Sequence, residues 1–306
     1  MRVLRSPRDA AATLEAARSD GATIGLVPTM GALHDGHRSL IEAALADCDV
    51  VAVSIFVNPL QFGDPVDLES YPRSLAADLS LCEALGVSVV LAPTVADMYP
   101  DWPASTSTRV SVGALAAGWE GASRPGHFEG VATVVAKLFA IAGRSRAYFG
   151  EKDFQQLAVV RTLATDLCFP VEVIGCPTAR DPDGLARSSR NARLSGPERQ
   201  AAPVLWRALG AAQRAIASGE RRPSVVDAAM ASVVAAEPLV SLDYAAVVDA
   251  AHLTRPAQID GRRPLRLIIA AQVGTVRLID NAPAEVVSDA HSAAGSSRLA
   301  SAGIEG

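Results

Sequence analysis

The segment Pro28–His37, with the sequence PTMGALHDGH, carries the densest group of residues that could do chemistry. Its two imidazoles, His34 and His37, are three positions apart, so both can point to one side of a first helical turn. The start of a helix presents free backbone N–H groups and a positive dipole end, which suit an anion such as phosphate. Gly31 and Gly36 let the backbone approach a ligand closely. The segment therefore predicts a site where two imidazoles donate hydrogen bonds to phosphate oxygens as charge builds up.

The histidine pair also allows two other interpretations. It could be a surface accident, or it could be half of a zinc site, and the spacing alone leaves all three open. The zinc interpretation lacks a supporting set of Cys or carboxylate residues at ligand spacing. The glycines match neither the dinucleotide fingerprint G-x-G-x-x-G nor the P-loop G-x-x-x-x-G-K-[ST].

Two further clusters could bind phosphate. The first is Gly150–Asp153 (GEKD), which follows a short predicted strand, where a lysine can reach a polyphosphate as a point charge. The second is Arg187–Asn191 (RSSRN), whose hydroxyl and guanidinium groups could enclose phosphates from the opposite side. Locally, a solvated helix start or an ordinary surface loop would have the same residues.

Single polar residues say less. Asn58 and Gln61 follow an apolar strand, where their amides could bind a small polar substrate, although an ordinary turn has the same local sequence. Gln155 and Gln156 open a predicted helix, so we expect them to be exposed to solvent. His127 is expected to be structural rather than catalytic.

Alternating strands and helices must position these residues. Apolar periodicity over residues 1–177 predicts the order βαβα, which indicates a parallel sheet with helices on both faces. The carboxyl ends of such strands open onto a ligand crevice. The predicted strands are Thr23–Pro28, Asp49–Val57, Val87–Ala92, Arg146–Phe149 and Val171–Cys176, and the predicted helices are His37–Ala46, Leu75–Leu85, Val131–Ile141 and Phe154–Asp166.

The pattern changes after Pro177. A polar segment with turn signals comes first, followed by two helices and three strands, the last two forming a hairpin at Gly274. These elements are Glu198–Ser218, Ser224–Ala236, Tyr244–Asp249, Leu265–Val273 and Thr275–Ile279. We therefore predict an α/β protein with a Rossmann-like parallel-sheet domain over residues 1–177, a smaller α+β C-terminal domain over 178–284, and a flexible tail over 285–306.

Composition excludes several classes of protein. The chain has 306 residues, with 28 Lys and Arg against 33 Asp and Glu, and its net charge of −5 argues against a nucleic-acid coat or a polybasic membrane patch. With 49% apolar and 20% charged residues, the chain is not predominantly disordered. Its apolar runs fall short of the ~18–20 residues of a transmembrane helix, and no signal-peptide pattern opens it. Four scattered cysteines without a C-x-x-C pair predict a reduced, cytoplasmic protein.

Taken together, these segments resemble the pantothenate synthetases (pantoate–β-alanine ligases). The motifs PTMGALHDGH, SIFVNPLQF, YPRS, RPGHFEGVATVV, YFGEKDFQQL and GLARSSRN occur in the order and at the spacing of that family across residues 24–194. The C-terminal third matches more loosely, through LDY at 242–244 and RLIDN at 277–281. The H-x-G-H element alone would indicate only the wider nucleotidyltransferase superfamily.

The resemblance implies a two-step reaction. The carboxylate of (R)-pantoate attacks the α-phosphorus of ATP and displaces pyrophosphate, giving a pantoyl adenylate. The amine of β-alanine then attacks the activated carbonyl, and AMP leaves with pantothenate formed. Mg²⁺ on the triphosphate is expected because it neutralises oxygens that the carboxylate must approach. The family also implies a homodimer that binds ATP, pantoate and β-alanine. No nucleic-acid or membrane partner is expected.

Site residues follow from the same resemblance. His37 is the residue that the family pattern marks as proton donor. The implied catalytic residues are His34, His37, Lys152, Ser188, Ser189 and Arg190. The implied ATP-binding residues are Met30, Gly31, Ala32, Leu33, His34, Asp35, Gly36, His37, Gly150, Glu151, Lys152, Asp153, Ala179, Arg187, Ser188, Ser189 and Arg190. Gln61 and Gln156 would bind pantoate, and Pro28, Met30 and Phe56 would line the pocket for its two methyl groups.

Three positions depart from the family pattern. Arg187 stands where an apolar residue usually precedes Ser-Ser-Arg, and it could contact phosphate or point to water. Asp78 is the candidate Mg²⁺ ligand, but Ala77 precedes it where some relatives have a second acid, which weakens the case for direct ligation. Phe154 replaces a common Tyr at the cost of one hydroxyl.

Three other functions fit the sequence less well. Another H-x-G-H adenylyltransferase would act on a nucleotide-like substrate, but NPLQF and KDFQQ match pantoate-site segments. A non-catalytic nucleotide sensor would not need the whole set of His34, His37, Lys152 and Ser188–Arg190. A tRNA synthetase is disfavoured because the chain has no anticodon-binding module and no basic surface segment.

Overall fold

A six-stranded parallel sheet forms the first part of the computed structural model, which describes residues 1–104 and 108–286. Its strands are β1 Arg2–Leu4, β2 Ile24–Thr29, β3 Val50–Ile55, β4 Val89–Leu91, β5 Ser145–Gly150 and β6 Val171–Cys176. They lie side by side in the order β1-β4-β3-β2-β5-β6. The predicted parallel sheet is confirmed, whereas residues 287–306 of the predicted tail lie outside the described residues.

Helices cover both faces of this sheet, as predicted. They are α1 Pro7–Ser19, α2 Asp35–Asp47, α3 Pro65–Ser70, α4 Leu75–Leu85, α5 Val95–Met98, α6 Glu120–Ser123, α7 His127–Ala142 and α8 Phe154–Asp166. Helices α1, α7 and α8 bury apolar side chains such as Leu14, Phe139 and Leu157 against one face. Helices α2 and α4 bury Ile41 and Cys82 against the other. Burial on both faces explains the unbroken apolar run of β3.

The strand order reverses next to β2. This strand pairs with β3 along all six of its residues but with β5 only at Gly25 and Leu26. Pro28 lies beyond the pairing with β5 and has no N–H group to donate to a ladder. The carboxyl ends of β2 and β5 therefore leave an opening at the switch point, where ligands bind in open α/β sheets.

A three-stranded antiparallel sheet forms the C-terminal domain. Its elements are α9 Gly196–Ala201, α10 Val204–Ala217, α11 Pro223–Ala235, β7 Val240–Asp249, β8 Leu265–Val273 and β9 Val276–Pro283, with strand order β7-β8-β9. Buried residues of α10 and α11, such as Leu209 and Met230, pack with Leu267 and Ile269 of β8 in one core. The predicted α+β character is confirmed.

Several predicted boundaries were wrong. The single helix predicted over Glu198–Ser218 is divided at Pro203, because proline lacks the helical N–H donor and its ring clashes with the preceding turn. Strands β7 and β9 are each longer than predicted. Patterning also missed β1 and α1, although Ser6 caps α1 by accepting a 3.2 Å hydrogen bond from the Asp9 N–H. No helix in the described part of the chain is long and apolar enough to cross a membrane.

Candidate active site

The loop between β2 and α2 is held by a buried carboxylate. Asp78 of α4 accepts hydrogen bonds from the N–H groups of Ala32 at 3.0 Å and Leu33 at 2.8 Å, and from the Ser74 hydroxyl at 3.2 Å. Gly31 has a φ of +83°, and a Cβ there would lie 2.9 Å from Asp78 Oδ2. Glycine is therefore required at this turn by both conformation and space. Because its oxygens are used in this way, Asp78 is better placed to hold the loop than to bind Mg²⁺.

The two imidazoles lock the first turn of α2. His34 is the N-cap residue, and its Nδ1 accepts from the Gly36 N–H at 3.1 Å. His37 Nδ1 accepts from the His34 N–H at 3.3 Å, and the ring centroids are 4.1 Å apart. Because both Nδ1 atoms accept backbone protons, each neutral ring carries its hydrogen on Nε2, as assigned from this hydrogen-bond pattern. Within residues 1–104 and 108–286, neither Nε2–H group has a hydrogen-bond partner, so both can donate to a ligand.

Burial keeps both rings neutral. It is the main cause that lowers the pKa of His37 to about 3, and the neighbouring His34 adds to the effect. Burial also lowers the pKa of His34, followed by the positive charge of Lys152. At neutral pH the pair therefore offers hydrogen bonds rather than positive charge. An anionic ligand would raise both pKa values and favour protonation.

A cavity at the carboxyl ends of β2 and β5 collects most of the predicted site. The predicted residues that line it are Pro28, Met30, His34, Gly36, His37, Gly150, Lys152, Asp153, Gln156, Ala179, Arg187, Ser188, Ser189 and Arg190. A second cavity shares Lys152, Asp153, Gln156, Ser188 and Arg190 with the first and extends to the C-terminal domain at Arg277. We call the two together the strand-end cleft. Residues separated widely in sequence thus meet where the sheet opens.

Positive charge is concentrated in this cleft. Lys152 Nζ lies 3.4 Å from Asp153 Oδ1. Burial opposes ionisation of Asp153, but Lys152 and Arg190 outweigh it and lower the pKa of this carboxyl. Ser188 Oγ accepts from the Arg190 N–H at 3.3 Å, which fixes the start of the turn carrying Ser189 and Arg190. The cleft can therefore surround an anion with ammonium, guanidinium, hydroxyl and imidazole groups.

Arg187 faces carboxylates rather than open water. Its guanidinium forms an ion pair with Asp35 at the start of α2 and a second with Asp181 at 3.0 Å. These contacts join the two parts of the chain that border the cleft. The predicted ATP-binding residue Asp35 is used here and does not line the cleft.

Some predicted substrate residues lie outside the cleft lining. Gln61 is buried, and its Oε1 accepts from Asn58 Nδ2 at 2.9 Å. Phe56 is also buried, and its ring packs against Tyr99 with centroids 6.0 Å apart. Gly31, Ala32, Leu33 and Glu151 do not line the cleft either.

His127 lines the second cavity, and both of its ring nitrogens contact other protein groups. Its Nδ1 lies 2.9 Å from the Gln61 carbonyl oxygen, which can only accept, and its Nε2 lies 3.2 Å from Arg124, which can only donate. The ring is therefore neutral with its hydrogen on Nδ1. Burial, followed by the charge of Arg124, lowers the pKa of His127 to about 4.

Gln155 corrects one expectation. It is buried rather than exposed, since its amide donates to the carbonyls of Leu115 at 2.8 Å and Gly118 at 2.9 Å. Its Oε1 accepts from the Glu120 N–H at 3.0 Å. The loop that contains Leu115 and Gly118 thus covers Gln155 at the start of α8. The periodicity of the sequence indicated only that Gln155 lies at the end of a helix.

Several residues that line the cleft were not predicted from the sequence, and Tyr71 and Arg277 are two of them. Tyr71, within the YPRS motif, lines the first cavity, and burial raises the pKa of its hydroxyl. Arg277 lines the second cavity and binds Glu120 through two 2.7 Å hydrogen bonds. Nothing local in the sequence marks Arg277 as a cleft residue. Across residues 1–104 and 108–286, no group of three or more His, Cys, Asp or Glu side chains could hold a metal ion.

Comparisons with known proteins agree on one family. The family model described as Pantoate-beta-alanine ligase matches residues 2–283. Pantothenate synthetase of Rubrobacter xylanophilus is 53% identical over 284 residues, covering 92% of this chain and 97% of the relative. Pantothenate synthetase of Roseiflexus sp. is 52% identical over 259 residues, covering 85% of this chain and 91% of the relative.

Solved structures show the same similarity. The crystal structure of pantothenate synthetase from Thermus thermophilus superposes with a TM-score of 0.85 at 45% identity, covering 93% of this chain and 99% of that one. Pantoate-beta-alanine ligase from Francisella tularensis, complexed with beta-gamma ATP and beta-alanine, has a TM-score of 0.74 at 34% identity and covers 93% and 98%.

Proposed function

The chain belongs to the pantoate–β-alanine ligase family, and we propose that its strand-end cleft is where ATP, pantoate and β-alanine react. The enzyme joins pantoate to β-alanine at the expense of ATP, through a pantoyl adenylate, with release of AMP and diphosphate. One observation supports the location above all others. Two imidazoles whose Nδ1 atoms accept backbone protons, which leaves the hydrogen of each neutral ring on Nε2, line the same cleft as Lys152 and Arg190.

The charge of the first step explains why these groups are needed. A carboxylate must approach a triphosphate, so two anions meet and negative charge develops on the departing diphosphate. His34 and His37 donate Nε2–H bonds to the phosphates, and Lys152 and Arg190 supply positive charge. The pKa of His37 rises as the phosphate charge approaches, so the ring can take up a second proton from solvent at Nδ1 and give its Nε2 proton to the diphosphate as it leaves.

The other predicted roles form part of the same proposal. Ser188 and Ser189 close over the phosphates, and the backbone near Ala179 holds the adenosine. Gln156 binds pantoate from within the cleft lining. Gln61 and Phe56 would approach the substrates only after a shift of their side chains, since both are buried against other residues.

Mg²⁺ enters this proposal as part of the nucleotide complex. The described residues offer no set of three metal-binding side chains, and the Asp78 carboxylate is used by backbone amides. We therefore assign no protein ligand, and the ion would neutralise phosphate oxygens. A homodimer, a cytoplasmic location and a domain boundary between residues 177 and 178 stay predictions from the sequence.

A direct assay tests the proposal. The protein is incubated with ATP, Mg²⁺, (R)-pantoate and β-alanine, and AMP and pantothenate are measured. Without β-alanine, pantoate-dependent exchange of labelled diphosphate into ATP should continue, because the adenylate forms first. We expect His37→Ala to lower the exchange rate by at least ~10²-fold, the scale of losing one preorganised charge-stabilising group.

The matched control is His252→Ala, which removes an exposed imidazole paired with Asp249 at 3.1 Å. It should keep the parental rate. Exchange that does not require pantoate would refute the reaction assigned to the cleft. A His37→Ala variant with near-parental exchange would refute the role given to this ring.

A further inference from the structure

A buried amide of the C-terminal domain holds the turn that carries Lys152. Asn281 lies in β9 and is only 3% exposed. Its Nδ2 donates one hydrogen bond to the carbonyl oxygen of Glu151 at 2.9 Å and one to that of Lys152 at 2.8 Å. The two N–H groups of one side-chain amide thus donate to the carbonyl oxygens of two consecutive residues.

The orientation of this amide is fixed by its partners. Asn281 Oδ1 accepts from Arg266 Nε at 2.7 Å, and the same guanidinium donates to Glu151 Oε2 at 2.8 Å. The guanidinium also lies over the Phe154 ring, 4.4 Å from its centroid. Carbonyl oxygens only accept and a guanidinium only donates, so the opposite amide orientation would lose all three bonds. Asn281 and Arg266 therefore form a rigid support beneath the turn.

The turn needs such a support. Residues Glu151–Asp153 form a single 3₁₀ turn between β5 and α8, and 3₁₀ hydrogen bonds have poorer geometry than those of an α-helix. Asn281, by contrast, lies in the edge strand β9, where it is paired with Ile268 in the β8–β9 ladder. A strand of the second domain thus holds the backbone from which the Lys152 ammonium reaches the cleft.

We infer that Asn281 is a positioning residue, which acts on the reaction by holding the Lys152 backbone. This inference rests on the proposed function, in which Lys152 contacts the phosphates. It gives the β7–β9 sheet, which is distant in sequence from Lys152, a part in positioning this side chain. Loss of the amide removes one hydrogen bond from each of two carbonyls and lets the turn move, and a displacement of about 1 Å at a reacting group can cost on the order of 10²-fold in rate.

A double-mutant cycle measures whether Asn281 acts through Lys152. Diphosphate exchange kinetics are compared for the parent, Asn281→Leu, Lys152→Ala and the double variant. We expect Asn281→Leu to lower kcat by about 10- to 100-fold, with KM for pantoate changed by less than about 3-fold. In the Lys152→Ala background the same substitution should lower kcat by less than about 3-fold, because coupled residues are not additive. A merely structural role would lower kcat equally in both backgrounds.

Two further variants complete the design. Asn281→Asp keeps the size and the acceptor for Arg266 but places oxygen against two carbonyl oxygens, so it should repeat the loss of kcat if Asn281→Leu does not fold. Trp119→Phe is the matched control, since it removes a 2.8 Å hydrogen bond from the indole to the Leu253 carbonyl, also between the two domains. It should keep kcat within about 3-fold, as expected for a contact outside the chemistry.

The outcomes separate the two proposals. If Lys152→Ala lowers kcat and the effect of Asn281→Leu or Asn281→Asp is the same in both backgrounds, the positioning role is overturned and the cleft assignment stands. If both Asn281 variants keep the parental kcat, the positioning role is also overturned. If Lys152→Ala itself keeps the parental kcat, the proposed phosphate contact is the part that fails.

Discussion

Replacing Asp78 by Asn should loosen the loop that leads into the two imidazoles. The carboxylate accepts N–H bonds from Ala32 at 3.0 Å and Leu33 at 2.8 Å. In the variant, one side-chain oxygen still accepts, but the new NH₂ group faces the other backbone N–H. One hydrogen bond is therefore lost, and the remaining one no longer has an ionised acceptor.

The structure sets the size of this effect. A hydrogen bond to a charged group contributes about 1.5–3 kcal/mol, and a buried donor left without a partner costs about 1–3 kcal/mol. We therefore expect the free energy of unfolding to fall by about 2–4 kcal/mol in Asp78→Asn. The same loosening shifts His34 and His37 relative to the phosphates, so the exchange kcat should fall by about 10- to 100-fold.

Two measurements check this prediction. Chemical denaturation gives the free energy of unfolding, and diphosphate exchange is followed across a range of Mg²⁺ concentrations. The control is Glu83→Gln, which removes an exposed carboxylate from the same helix and should change stability by less than about 0.5 kcal/mol. If Asp78→Asn is as stable as the parent and added Mg²⁺ restores its rate, Asp78 is a metal ligand and the loop-holding account is refuted.

Three more predictions concern the pH response, the glycine turn and the contact between the domains. Burial lowers the pKa of His37 to about 3 and of His127 to about 4, below the value of about 6.5 in an unfolded chain. The unfolded state therefore binds more protons than the folded state below pH 6.5, so the free energy of unfolding should decrease between pH 6.5 and 4.5. Denaturant titrations at several pH values measure this decrease, which should be smaller in His127→Asn. Gly31→Ala should raise KM for ATP by about 5- to 30-fold, because an alanine in the left-handed backbone conformation of this turn costs about 1–2 kcal/mol. An unchanged KM would show that the turn adapts. Glu120→Gln should lower the free energy of unfolding by about 1–3 kcal/mol, because one of the two 2.7 Å bonds from Arg277 loses its acceptor. If chemical denaturation gave Glu120→Gln the same free energy of unfolding as the parent, the stabilising contribution of this ion pair would be contradicted.

Local patterning was sufficient for much of the fold. Strand β6 and helices α4 and α8 have the predicted boundaries. A buried parallel strand is indicated by a run of apolar residues, and a helix that covers the sheet is indicated by an amphipathic stripe. Each of these signals lies within about a dozen residues of sequence. The same applies to the segments proposed to bind phosphate, because the end of a strand and the start of a helix are local features of the sequence, and the start of a helix presents unpaired backbone N–H groups.

Other features depended on contacts between distant segments. Lys152 and Asn281 are 129 positions apart, and no local pattern connects them. The burial of Gln155 and the use of Asp78 by a neighbouring loop were equally hidden, because each depends on which segment packs over the residue. Periodicity reports which face of an element is buried, but not the partner that covers it.

The sequence by itself therefore determined the parallel sheet and the family, and it predicted the groups that we propose to contact the phosphates. The tertiary structure decided how those groups are held, since Asp78, Gln155 and Asn281 each satisfy backbone or amide groups far away in the chain. The physical reason is that a buried hydrogen bond needs both partners in place. Only the docking of α4 and of the C-terminal sheet brings those partners together.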